Sequence, residues 1–228
     1  MGTLVSPATF RHPSELAKLV VTADHVSGGR VELGLGAGWN EAEHEAYEFP
    51  FPPMGERMNE LERQLRMIGR QWAAGGAAQP KPLQSPRPNL IVGGRGGPRS
   101  VRLAARYADE YNTVNKTAAE CAEIRGRLDA ECVDAGREPI PLSLMTGWLA
   151  GEDETELLAR AARLAEWTGA DPDPDAFLAA QRDSSIAGTL DENLERLREL
   201  EEAGVERVML QQLLHRDLDA VRQIGQVV

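Results

Sequence analysis

Apolar positions along the chain fall into two spacings. Short, largely apolar runs occur at Thr3–Ser6, Val31–Leu35, Asn89–Val92, Leu142–Leu149 and Arg207–Leu213, and Glu110–Val114 reads as a further short strand. Runs of this length bounded by turn residues read as buried strands. Between them apolar residues recur every three or four positions, the mark of a helix with one buried face. Met54, Met58, Leu61, Leu65, Ile68 and Trp72 form the clearest such stripe. An earlier helix opens at Pro13, with Leu16, Leu19, Val20 and Ala23 as its expected buried face and Gly28 as its stop. Further helices are expected over Pro98–Arg106, Thr117–Ala135, Glu152–Trp167, around Phe177 beyond a Pro- and Asp-rich stretch at Asp171–Asp175, and over Leu190–Ala203 and Asp217–Val227. Asn40 to Pro53 reads as polar loop, and Gly75 to Pro88 as proline-rich loop.

Six strands, each followed by helix, imply βαβ units and a parallel sheet. Right-handed crossovers leave two outcomes, an open doubly wound sheet or a closed barrel. No linker-like tract divides the 228 residues, so a single domain over 1–228 is expected.

Charge narrows the choice of partners. The formal net charge is −11, from 36 acidic and 25 basic residues. That balance argues against nucleic acid or an anionic membrane as the main partner. Cys121 and Cys132 are the only cysteines and sit eleven residues apart in one helical pattern. They would lie about 16 Å apart, beyond disulfide reach. A reducing, cytoplasmic setting is therefore expected. No apolar run approaches a membrane span.

Three groups carry candidate chemistry. Gly93-Gly94-Arg95-Gly96-Gly97-Pro98 joins a strand end to a helix start, with Arg99 and Arg102 in the following turns. Glycines admit a close ligand, and free N–H groups at a helix start attract anions. Cations there oppose the helix dipole, which makes more sense with a phosphate between them. The plainer reading is a flexible loop with solvated arginines. Gly34-Leu35-Gly36-Ala37-Gly38-Trp39 has glycines like a dinucleotide fingerprint, but no helix follows directly. Close backbone packing at a strand end is the alternative, and Trp39 either stacks on a ring or fills core. Glu41, Glu43, His44 and Glu45 form the third group. His44 is the one candidate catalytic side chain, because it follows a strand's C-terminal end; solvated loop charge is the ordinary reading. No metal site is expected, since the four histidines are scattered and no HExxH occurs. GxSxG, a Walker A loop and a placed nucleophilic cysteine are also absent.

These blocks together resemble a known family. Thr9–Pro13, Ser27–Arg30, Gly34–Glu41, Pro50–Pro53 with Glu56-Arg57, Gly93–Pro98, Ala104–Asp109, Gly188-Thr189 and Ala203–Gln211 follow the order of the luciferase-like monooxygenases, closest to their coenzyme F420-dependent branch. The resemblance implies a (β/α)8 TIM barrel with its cofactor at the strands' C-terminal ends. Members carry two βα units before the strand that opens here, so about six of the eight units are expected and the barrel is incomplete. The implied cofactor is coenzyme F420, with FMN as alternative, serving hydride or oxygen transfer to a small organic substrate. A catalytically impaired or partner-dependent remnant is the other reading. Position by position, Leu4-Val5 falls where members often hold a non-proline cis peptide behind the cofactor ring. Gly94, Gly96 and Gly97 match the phosphate loop, with Arg99 beside it. Asn112 and Thr113 match the next strand end. The sugar-phosphate dehydrogenase branch carries an acid where this chain has Trp39, so that activity is not expected. Two open strand edges imply a homo-oligomer.

Overall fold

A computed structural model of the chain describes residues 1–76, 78–170 and 173–227. The chain runs β1 (Gly2–Pro7), α1 (Pro13–Ser27), β2 (Glu32–Gly36), α2 (Glu41–Ala46), α3 (Met54–Trp72), β3 (Asn89–Gly93), α4 (Pro98–Tyr107), β4 (Glu110–Val114), α5 (Ala118–Asp134), β5 (Leu142–Gly151), α6 (Glu154–Thr168), α7 (Pro174–Ser184), β6 (Ile186–Thr189), α8 (Leu190–Glu202), β7 (Arg207–Gln211) and α9 (Leu218–Ile224). Contacts gather into two compact units: Met1–Asn112 with Gly126–Pro141, and Thr113–Arg125 with Leu142–Val228. The division falls inside β4 and α5, where the sequence shows no linker. Within the expected Asp171–Asp175 stretch, Asp171 and Pro172 lie outside the described residues.

In the first unit β1, β2, β3 and β4 pair in consecutive order, every pair parallel. The turns after Leu35 and Val92 therefore open on the same side. Leu33, Leu35, Leu90, Ile91 and Val92 are all buried, as expected of strands covered on both faces. Leu61, Leu65 and Ile68 of α3 are also fully buried, each contributing roughly 2 kcal/mol of apolar burial. On α1 the expected stripe is displaced. Leu19 and Ala23 face solvent, while Leu16, Ala17, Val20, Val21 and Asp24 face inward. The cause is Asp24. Its carboxylate accepts the N–H groups of Leu83 (2.7 Å) and Gln84 (3.1 Å) and the Gln84 amide (2.7 Å). A polar anchor for the proline-rich loop thus takes a place that hydrophobic periodicity alone would not assign to it.

In the second unit β5 pairs parallel with two strands. Ser143–Gly147 face Arg207–Gln211 of β7, and Trp148–Gly151 face Ile186–Thr189 of β6. The sequence reading passed over β6 because four residues containing a glycine carry almost no periodic signal. Thr189 then caps α8 in a reciprocal box with Glu192. The core is Leu149, Leu157, Ala161, Leu164, Ala165, Phe177 and Leu178. Beside it Arg160 is buried, donating to the Ala150 carbonyl (2.7 Å) and pairing with Glu156 (2.9 Å) and Asp217 (3.2 Å). Among the described residues no helix is long and apolar enough to cross a membrane.

Candidate functional site

The first unit places the two glycine motifs at the C-terminal ends of neighbouring strands, and they differ in what fills them. β1 carries one extra residue relative to β2, between Thr3 and Ser6. Such a bulge re-aims a side chain. Here it sends Val5 across β2 and β3, and the Leu4–Val5 peptide is cis, the conformation the resemblance implies. A Cβ on Gly36 would stand 2.6 Å from Val5 Cγ2, and one on Gly34 or Gly93 would stand 2.8 Å from Val5 Cγ1. The glycines of β2 are therefore filled by protein. Of the two readings of Gly34–Trp39, close packing is the one observed. Trp39 itself is 77 % exposed and fills no core.

Gly93–Gly97 is built differently. A closed circuit of hydrogen bonds holds the turn. The Gly96 N–H donates to Tyr111 Oη (2.9 Å), and the Ser100 hydroxyl donates to the Gly97 carbonyl (2.9 Å). Ser100 has one proton, so in the 2.9 Å contact between the two hydroxyls Tyr111 is the donor. Arg127 donates to the Gly96 carbonyl (2.7 Å), and Gly94 N–H to the Asn112 carbonyl (2.9 Å). Burial pushes the Tyr111 phenol upward, partly offset by the Ser100 hydroxyl and the Gly96 N–H.

The three glycines matched to the phosphate loop differ in what their N–H groups do. Gly94 and Gly96 spend theirs inside the turn. Gly96 is also buried rather than exposed, at φ +81°. Gly97 remains open: a Cβ there would meet nothing nearer than Ser100 Oγ at 3.9 Å. Gly97 caps α4 with no side-chain hydrogen bond, and Pro98 follows as the first helical residue. The first-turn N–H groups are left uncapped, the arrangement that receives phosphate at a helix start.

The flanking residues divide. Arg99 turns toward α3, donating to the Gly55 carbonyl (3.2 Å) and lying 3.7 Å from Glu62. It braces α4 against α3 instead of reaching over the turn. Arg95 is exposed at the turn itself. Asn112 is buried and shapes the turn through its carbonyl. Thr113 is fully buried, and its hydroxyl has no hydrogen-bond partner among the described residues.

His44 falls on α2, an element that the polar-loop reading missed because its six residues carry only two apolar positions. The ring is completely buried between Phe10 and Phe51, at centroid distances of 4.8 and 4.6 Å. Nδ1 lies 2.6 Å from the Asn40 carbonyl, which only accepts, so Nδ1 bears the proton. Nε2 then accepts from the Thr9 hydroxyl at 2.6 Å. Both ring nitrogens are occupied, and the role observed is packing and anchoring. Among the described residues no three His, Cys, Asp or Glu side chains gather as metal ligands.

Sequence reading missed Tyr111, Ser100 and Arg127, the side chains that shape the turn. A tyrosine in the Glu110–Val114 strand and a serine three residues after Gly97 were visible, but nothing in their spacing says that they meet.

The Ala104–Asp109 block proves structural. Asp109 accepts from Arg87 (2.9 Å) and from Leu90 N–H (2.9 Å), and Arg137 holds the Ala105 and Ala108 carbonyls (2.7 and 2.9 Å).

A parallel sheet with a phosphate-type turn at a strand end is a common design, and comparison with known proteins narrows it. The model of the luciferase-like monooxygenase family matches residues 1–216. The chain belongs to that family. An uncharacterised Mycobacterium tuberculosis protein is 32 % identical over 154 residues, covering 62 % of this chain and 53 % of the relative. The FMNH2-dependent dimethylsulfone monooxygenase of Pseudomonas putida is 29 % identical over 136 residues, covering 52 % of this chain and 37 % of that enzyme. The chain thus spans about half the length, or less, of the curated relatives it matches. Among solved structures, the coenzyme F420-dependent tetrahydromethanopterin reductase of Methanopyrus kandleri superposes with a TM-score of 0.77 at 19 % identity, covering all of this chain and 81 % of that one. That likeness establishes the fold, the parallel α/β architecture of luciferase-like barrels.

Proposed function

We propose that this chain serves a flavin- or deazaflavin-dependent oxidoreductase acting on a small organic substrate, with coenzyme F420 as the cofactor and FMN as the alternative. The observation that carries the reading is the open space over Gly97 beside an uncapped helix start. A Cβ placed on Gly97 meets nothing nearer than 3.9 Å, which leaves space at the helix start for a cofactor phosphate. The names of the Pseudomonas putida enzyme and of the Methanopyrus kandleri structure agree with a flavin-type group, which when bound supplies hydride transfer or the reduction of oxygen. The chain's own part is positional. The Tyr111–Ser100 circuit holds the turn before any ligand arrives, so little ordering cost remains at binding. Gly97 admits the phosphate and Arg95 adds an exposed positive charge. Leu4 and Val5 form the wall at the neighbouring strand, and His44 holds the loop after β2.

Binding to each cofactor separately, followed by fluorescence or absorbance at equilibrium, tests this. Saturable binding of one of them is expected. Gly97→Ala should weaken it by roughly tenfold through steric conflict, the scale of one lost charge-assisted contact. Arg99→Ala should change it little. Failure of both cofactors to bind, or an unaffected Gly97→Ala variant, overturns the site.

A second reading, a cofactor-binding chain that needs a partner, is favoured by the edge strands. Gly2 and Thr3 of β1 are exposed, and no residue of β7 is buried. Unprotected edges of this kind promote association. Sedimentation should show a self-associated species, and a monomer with full cofactor-dependent turnover would exclude this reading.

A further inference from the structure

The second unit contains an open cleft of about 250 Å³ that the phosphate turn does not involve. Its walls are Trp167 at the end of α6 and the segment Leu213–Asp217 that follows β7, with Arg163 alongside. A cavity of roughly 150 Å³ accommodates benzene, so this one has room for a one- or two-ring molecule.

The apolar wall is solvent-facing yet held in place. Trp167 is 64 % exposed and Leu213 is 41 % exposed. Leu214 packs against the core of the unit, which fixes the segment from behind. The His215 ring stands edge-on to the indole at 5.6 Å, and its Nδ1 donates to the Leu213 carbonyl at 3.3 Å. The Leu214 N–H donates to the Gln212 side chain at 2.9 Å. An exposed aromatic face pre-arranged in this way is a platform for stacking.

The polar wall sets the sign of charge. Among the described residues Asp217 is the only carboxylate lining the cleft, and it is already spent. It accepts from Arg163 (2.6 Å), Arg160 (3.2 Å) and the Ala220 N–H (3.0 Å). Arg216 is exposed and has no hydrogen bond or ion pair among the described residues. With Asp217 neutralised, the cleft presents a free guanidinium in a chain whose net charge is −11. A local positive charge against that background selects anions.

We infer that this cleft binds a small planar aromatic carboxylate, its ring on Trp167 and its carboxylate on Arg216. The site stands apart from the cofactor assignment and does not depend on it. Titration calorimetry of the full chain with benzoate, benzamide and inorganic phosphate tests it. Benzoate should bind saturably and at least roughly tenfold more tightly than either of the others, the value of one charge-assisted contact combined with stacking. Arg216→Gln should bring benzoate down to the level of benzamide, and Trp167→Ala should remove saturable binding. Both positions are exposed, so thermal melts of the variants should match the parent. Absence of saturable benzoate binding, equal binding of benzamide or phosphate, or undiminished binding in Trp167→Ala would each overturn the inference.

Discussion

Two glycine-rich strand ends lie side by side in the first unit, and they do opposite things. After β2, the positions of the missing side chains at Gly34 and Gly36 are occupied by Val5. After β3, the position at Gly97 is vacant while Tyr111 and Ser100 shape the backbone from beneath. Glycine at a strand end therefore means close approach in both cases, but of protein in one and of open space in the other. Only the second leaves open space beside a helix start without a side-chain cap. The contrast predicts that substitutions at Gly34 and Gly36 act on stability and that substitution at Gly97 acts on binding.

Gly34→Ala offers the strongest break. The new Cβ would collide with the Thr3 carbonyl as well as with Val5, and a rigid backbone neighbour cannot give way. Overpacking of this kind should cost about 3 kcal/mol, read as a shift in denaturant midpoint; a variant as stable as the parent would refute the filled-floor account.

Next in size is Tyr111→Phe. It strands the buried Gly96 N–H and opens the circuit, an expected loss of about 2 kcal/mol. It should also change the pH profile. The Tyr111 phenol is raised above its ordinary value near 10 by burial. The folded state thus favours the protonated phenol, so this group's stabilisation is complete below that ordinary value and is lost as pH rises through the folded one. The alkaline fall in stability should be shallower in Tyr111→Phe, and an identical alkaline limb would count against the circuit.

A smaller effect separates Gly36 from Gly34. At Gly36 the only close neighbour is a Val5 methyl. Gly36→Ala and Val5→Ala should therefore compensate in a double-mutant cycle by about 1 kcal/mol. Gly34→Ala should show no such full rescue, because the Thr3 carbonyl remains. Equal coupling at both positions would merge the two cases.

The smallest stability effect is the sharpest test of the contrast. Gly97→Ala should leave the melting midpoint within about 0.5 kcal/mol of the parent, since its Cβ enters open space and its φ of −67° suits any residue. A destabilisation as large as at Gly34 would show that the second strand end is packed after all.

Much of the fold was legible because long elements repeat their signal. The α3 stripe names its own buried face from Met58 to Trp72, although Met54 at its start is exposed, and the Leu90–Val92 run of β3 is buried throughout. Short elements were not legible. Four-residue β6 and six-residue α2 offer too few positions for a period to show. On α1 the inward Asp24 displaced the expected stripe, because a carboxylate accepting three loop donors overrides the preference for burying Leu19. The same limit applies to the site. Gly94, Gly96 and Gly97 fall in one turn, but their separate roles in it depend on Tyr111 and Ser100, eleven residues apart. His44 looked available for chemistry because Thr9, Phe10 and Phe51, which enclose it, are distant in sequence.

The sequence by itself determined the alternation of strand and helix, the parallel sheet that follows from it, the family and the turn that could hold a phosphate. All of these rest on local periodicity, on residue type at element ends, or on the order of motifs along one chain. The tertiary structure alone decided which glycines are filled and which are open, which arginine braces a helix and which is free, and that the one candidate histidine is enclosed. Those properties depend on side chains brought together from separate elements, and a hydrogen bond or a collision within 3 Å leaves no trace in the spacing of residues along the chain.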